Sequence, residues 1–175
     1  MKINPPKDEQ EICVSCGFCC DNTLFEYASL EEGETVEGHF LETKFKIEGS
    51  HYFKLPCPHF EGKCTIYDQD KPAICGKFKC KLLKSFEACE IEKGKALEII
   101  ENAIALRKEI FDLYASSVSE KTVAFREIMT IVNKERKEKS KEVTILQAKT
   151  NLFSLLLIRY FKSKESFDEL LTLND

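Results

Sequence analysis

The sequence predicts a mainly α protein in two parts: a small irregular cysteine-rich metal-binding module with a β-hairpin over residues 1–90, then a C-terminal antiparallel helical bundle over residues 91–175. Three observations predict this. All nine cysteines lie between positions 13 and 89. After position 90 the chain has one glycine, Gly94, and no proline. From Leu97 onward apolar residues recur at three- and four-residue steps, the period of one helical face.

The first part opens with "CVSCGFCC", a CxxCxxCC run of Cys13, Cys16, Cys19 and Cys20 with Gly17 inside it. A two-residue gap lets neighbouring thiolates face one metal or cluster, and Gly17 relieves crowding where the backbone must curl. The adjacent Cys19 and Cys20 project in different directions, so their work is expected to be divided. A second cluster follows in "LPCPHFEGKCTIYDQDKPAICGKFKC", with Cys57, Cys64, Cys75 and Cys80 separated by six, ten and four residues. Pro56, Pro58 and Pro72 stiffen the chain beside these thiols, and Gly62 and Gly76 allow tight turns, so little ordering entropy is left to lose on metal capture. Free cysteine packs well in cores, but eight cysteines at these spacings between prolines and glycines do not make a core pattern.

Between the two clusters, Phe45 and Ile47, then Tyr52, Phe53 and Leu55, flank Glu48-Gly49-Ser50 as a β-hairpin that would bring the motifs together. Ser29 and Glu32 have the spacing of a capping box for a short helix limited by Gly33 and Gly38. His59, two residues from Cys57, is read as a supporting residue rather than a ligand; His39 and His51 lie outside the motifs. Cys89 fits neither cluster and is read as a free thiol at the start of a helical segment.

In the second part, Leu97, Ile100, Ile104, Phe111 and Tyr114, with Arg107 in one missing slot, predict a helix over roughly 93–115. Ser117 with Glu120 would cap a second helix burying Val123, Ile128, Ile131 and Val132. A third helix would follow the mixed-charge run "KERKEKSKE" and use Val143, Leu146, Phe153, Leu156, Tyr160 and Phe161, and Ser166 with Glu169 would cap a short terminal one. The charge run itself reads as a solvated face.

Composition excludes several classes of function. With 43% hydrophobic and 32% charged residues the chain matches an ordinary globular protein. The N-terminus lacks an apolar signal segment, and the longest apolar run, "LFSLLLI", is too short to span a bilayer, so the expected location is cytoplasmic, with no membrane association. In that compartment, an odd number of clustered cysteines points to metal or redox chemistry rather than a disulfide framework. A formal charge of −4 without a polybasic block argues against nucleic-acid binding.

On these residues the chain resembles the YkgJ-like cysteine-cluster family, described as zinc- or iron-chelating domains with a CxxCxxCC signature. The resemblance rests on "CVSCGFCC" and on a second motif formed here by Cys57-Pro58, Gly62 to Tyr67, Pro72 to Cys75, and Phe78 to Cys80. It covers roughly residues 13–80. Lys71 stands where the family usually has Arg, Gly76 stands where a second Arg commonly follows the cysteine, and the Tyr67 to Pro72 tract is slightly longer. The resemblance implies a metal site made by Cys13, Cys16, Cys19, Cys20, Cys57, Cys64, Cys75 and Cys80, with Tyr67 and Phe78 packing over it as an apolar lid.

All-thiolate ligation and a vicinal pair favour an iron-sulfur cluster, with an electron-transfer or modification-support role beside a protein partner bound through the helical region. A structural zinc module presenting its helices to a partner is the alternative. A third reading is a protein lysine methylase-like enzyme, since flagellin lysine-N-methylase is a relative of the family. The chain, however, has neither a CxxxCxxC triplet nor a glycine-rich loop after a strand.

Overall fold

A computed structural model describes residues 7–36, 39–67, 69–117, 125–138 and 144–162. Within these residues the protein is mostly helical with one three-stranded antiparallel sheet. It divides into two compact units, Met1–Lys79 and Cys80–Asp175. No helix among the described residues is long and apolar enough to cross a membrane.

The first unit begins with α1, Lys7–Cys16, whose first turn carries Asp8 and Glu9, a charge sign that complements the positive end of the helix dipole. The helix stops at Gly17, at φ +67°. A left-handed residue ends the helical hydrogen-bond ladder, and glycine adopts it without steric penalty. The chain then winds tightly: the Cys20 and Asp21 N–H groups both donate to the Gly17 carbonyl, at 2.8 and 3.0 Å, and Leu24 N–H donates to the Phe18 carbonyl at 2.9 Å.

The expected hairpin is formed by β2, Lys44–Ile47, and β3, Ser50–Lys54, turning through Glu48 and Gly49, both at positive φ. A third strand that the sequence reading lacked, β1, Tyr27–Ser29, pairs antiparallel with β3 and gives the order β1-β3-β2. Ser29, read above as a helix cap, instead ends β1 opposite Tyr52, and residues 30–36 form no helix. The Glu34 carboxylate accepts the Glu31 N–H at 2.8 Å and the Ala73 N–H at 2.7 Å, and so holds a turn in place of a helix. Under the sheet, Leu30, Phe40, Phe53 and Leu55 are buried together, with Phe25, Cys57, Ile66 and Ile74 packed against them. Two single-turn helices complete the described elements of this unit, α2, His39–Glu42, and α3, Ile74–Lys77.

The second unit opens with α4, Lys81–Glu87, capped by Cys80, and continues with α5, Lys93–Ser117, α6, Phe125–Glu138, and α7, Ile145–Tyr160. Helix α5 packs on α4 and α7, and α6 packs on α7. The buried face of α5 is Ala96, Ile99, Ile100, Ala103, Ile110 and Tyr114, rotated from the expected stripe of large residues. Ala96 and Ala103 are fully buried, so close approach of backbones, which small side chains permit, sets this face. On α7 the buried positions are Thr150, Phe153 and Leu157, with Phe161 following the helix. Phe153 contacts Phe125 edge-on at 4.8 Å, and Phe125 contacts Phe111 at 5.7 Å. Ile128 and Val132 of α6 are buried as expected. Helix α7 starts at a capping box that the sequence reading did not use: Thr144 Oγ1 accepts the Gln147 N–H, and the Gln147 side chain accepts the Thr144 N–H. The expected cap at Ser117 and Glu120, Val123, Val143 and the terminal helix from Ser166 lie outside the described residues, except that Ser117 is the last residue of α5.

Candidate metal centre

The two cysteine motifs meet through the backbone before any side chain is considered. Cys57 N–H donates to the Cys20 carbonyl at 2.7 Å, and two residues earlier Leu55 N–H donates to the Glu26 carbonyl at 3.0 Å. Strand β3 therefore delivers the second motif directly beside the end of the first, which is what the expected hairpin was to accomplish. Beyond Cys57 the chain makes a small loop closed by an isolated antiparallel bridge between Phe60 and Cys64, with Gly62 at φ +74° at its tip. The His59 carbonyl accepts both the Thr65 N–H, at 2.9 Å, and Thr65 Oγ1, at 3.0 Å. The Pro72 carbonyl accepts the Cys75 N–H at 2.9 Å, which tightens the turn into α3.

These connections border a partly open cavity of about 220 Å³. Six cysteines line it: Cys13, Cys19, Cys20, Cys57, Cys64 and Cys75. The remaining wall is apolar and largely aromatic, with Phe25, Phe40, Phe53, Phe60 and Phe78 prominent. Tyr67 and Phe78, the expected lid, both line the cavity, and Phe78 meets Phe25 edge-on at 4.9 Å. Cys16 sits one helical turn after Cys13 on α1 and is half-buried, outside the cavity lining. Cys80 belongs to the second unit, as the N-cap of α4. Cys89 is exposed in a turn after α4, at φ +57°, rather than at the start of a helix. His59 is half-buried with its ring 5.1 Å from that of Phe40. Among the described residues, no three His, Cys, Asp or Glu side chains converge as ligands of one ion.

Electrostatics treats the thiols as one group. Burial pushes the Cys20 thiol far above its ordinary value, and Cys57, Cys75, Cys13 and Cys64 push it further in the same direction. Cys75, exposed as a residue yet with its thiol on the cavity, is pushed up to about 12, first by desolvation and then by Cys57 and Cys64, with Lys71 opposing. The Cys57 thiol is raised by burial, the His59 backbone N–H opposing and Cys64 adding to the rise. Cys80 is raised by burial, while the backbone N–H groups at the start of α4 pull the other way. For Cys20, Cys57 and Cys75 the larger cause is burial, which disfavours the charged form, and neighbouring thiolates add to it. A bound cation reverses that balance, because it attracts every thiolate at once and releases their protons.

This has a consequence for the chain stripped of metal. The folded-state values of Cys75 and Cys20 lie above the ordinary 9.0, so their contribution to stability is complete below about pH 9. It is lost as pH rises toward the folded-state values. Unfolding midpoints of the chelated chain should therefore fall between about pH 9 and pH 12, and the fall should be shallower in Cys75→Ser. A Cys75→Ser profile parallel to that of the parent chain would contradict the account.

Sequence reasoning did not find Lys71, Phe25, Phe40 or Phe60 as cavity residues. The signal in Phe60 was its place between Cys57 and Cys64; Phe25 and Phe40 carry none, since their approach depends on the sheet. Comparison of the chain with protein-family models, with characterised proteins and with solved structures finds no match.

Proposed function

We propose that this chain is a cysteine-cluster metal protein whose cavity thiols hold an iron-sulfur cluster, and that it carries electrons or supports a modification reaction alongside a protein partner. The observation that carries this reading is the presence of six cysteines in the lining of one apolar cavity of about 220 Å³. Soft sulfur donors without a carboxylate among them fit iron-sulfur clusters and zinc, and do not suit magnesium or calcium. Size favours the cluster. A lone zinc ion draws four sulfurs to about 2.3 Å and leaves no room at the centre, whereas this cavity has a volume several times the roughly 30 Å³ share of a water molecule.

When bound, a cluster of this kind supplies one-electron chemistry. The chain's own residues then have three tasks. The thiols provide ligands; Phe25, Phe60 and Phe78 keep water from the sulfurs; the hydrogen bond from Cys57 to Cys20 fixes the two motifs at one distance. A docked partner is supported by α7, which leaves Ile145, Leu152 and Leu155 more than half exposed on one side.

Anaerobic purification tests the reading. The protein should be brown, contain iron and sulfide, and show visible absorbance that bleaches on reduction and is lost in oxygen. A colourless protein with stoichiometric zinc and no reducible chromophore would replace this reading with a structural zinc module.

A further inference from the structure

Among the described residues lining the cavity, one carries a formal charge, Lys71. Its ammonium lies 3.8 Å from the centroid of the Tyr67 ring and donates to the Tyr67 carbonyl. Both contacts come from a residue that itself lines the cavity, so the lysine is not a freely swinging surface side chain. Its neighbour Pro72 is buried and accepts the Cys75 N–H, so the position of Lys71 is tied to that of a thiol. The acidic group near Cys75, Glu34, is committed elsewhere, with one carboxylate oxygen on the Ala73 N–H and the other on the Glu31 N–H. The cavity thus combines six groups that become negative on metal binding with a single fixed positive charge.

We propose that Lys71 is the charge-compensating residue of the metal centre: held by Tyr67 at the cavity wall, it offsets the excess negative charge of the assembled thiolates and thereby sets metal affinity and reduction potential. The inference rests on the reading of the cavity as a metal site. Its physical basis is that each thiolate added to an apolar enclosure raises the energy of the rest, while a cation in the same enclosure lowers the energy of all of them with little screening by salt. The opposition of Lys71 to the upward push on Cys75 agrees in sign. A reduced cluster carries one more negative charge than an oxidised one, so the cation favours the reduced form. Lys71 ligates nothing; it acts through the thiols as a positioning and compensating residue.

The test uses the full chain as parent, Lys71→Gln and Lys71→Arg. Zinc affinity is measured by chelator competition, and the reduction potential after anaerobic reconstitution with ferrous iron and sulfide. Lys71→Gln should bind zinc about tenfold more weakly, the size of change typical of groups surrounding a metal's ligands. It should also reduce at a more negative potential, and Lys71→Arg should restore both toward the parent. Helical content and the unfolding midpoint of the metal-free chain should be the same in all three, which separates charge compensation from a folding defect. Equal zinc affinity and equal potential in parent and Lys71→Gln would overturn the inference while leaving the metal site standing. A parent chain that takes up neither zinc nor iron would overturn both.

Discussion

Cys20→Ser should cost the protein most of its metal, while Cys89→Ser should cost it none. Cys20 is acted on by four other thiols, Cys57, Cys75, Cys13 and Cys64, against two for Cys75. Its backbone also accepts the Cys57 N–H, and serine preserves that bond, so the substitution removes the sulfur and little else. A hydroxyl is a harder donor than a thiol and gives up its proton less readily. The expected loss of affinity is on the order of 100-fold, the upper end of what even surrounding groups contribute, with a matching fall in the melting temperature of the loaded protein. Cys89, exposed and in a turn at φ +57°, is the control. Elemental analysis after anaerobic reconstitution reads both variants. Equal losses in Cys20→Ser and Cys89→Ser would show that the cavity is not where the metal goes.

The legible part of this site is the part written in local spacing. CxxCxxCC and the prolines beside the second cluster point to ligands because their chemistry is carried by residue type, and four of the six cavity cysteines fall within two residues of a glycine or proline. The hairpin was legible for the same reason: alternation around Gly49 is a local pattern. What escaped depends on distant partners. Strand β1 is three residues long and is a strand only because Tyr27, Ala28 and Ser29 face Lys54, Phe53 and Tyr52. The Ser29 and Glu32 spacing is a valid helix start in isolation, but pairing with β3 and the two backbone bonds to Glu34 outweigh it. Helix α1 has no counterpart in the sequence reading, although Asp8 and Glu9 mark a first turn and Gly17 marks the end.

The second unit shows the complementary failure. Counting only large apolar residues placed the inner face of α5 on Leu97, Ile100, Ile104, Phe111 and Tyr114; Ile100 and Tyr114 are buried, but Leu97, Ile104 and Phe111 are half-buried, while Ala96 and Ala103 are fully covered. Alanine carries little hydrophobic weight in a periodicity argument, yet it decides how near two helix axes come. Thr150 misleads in the same direction. It is polar and fully buried, and its hydroxyl donates to the Leu146 carbonyl at 2.7 Å, a bond within its own helix that lets it pass as a core residue.

Gly17→Ala should destabilise the first unit more than any single change that leaves the ligands intact, by about 3 kcal/mol, from two separable sources. At φ +67° a side chain meets its own backbone, at about 1–2 kcal/mol. An added Cβ would also overlap the Phe60 ring, and overpacking of this kind costs about 1–3 kcal/mol. Phe60 cannot retreat freely, because its backbone bridges Cys64 and its N–H donates to the Cys57 carbonyl at 3.0 Å. Displacement of the ring would therefore disturb two thiols of the cavity, and metal affinity should fall together with stability. Hydrogen exchange over residues 13–79 of the metal-free chain reads the first effect, and zinc competition reads the second. The double variant Gly17→Ala with Phe60→Leu divides the two sources: relief of the overlap should recover part of the loss, and the backbone share should remain. Full recovery would mean that the left-handed turn carries no cost, and no recovery would mean that the close approach of Phe60 is not what requires glycine at the end of α1.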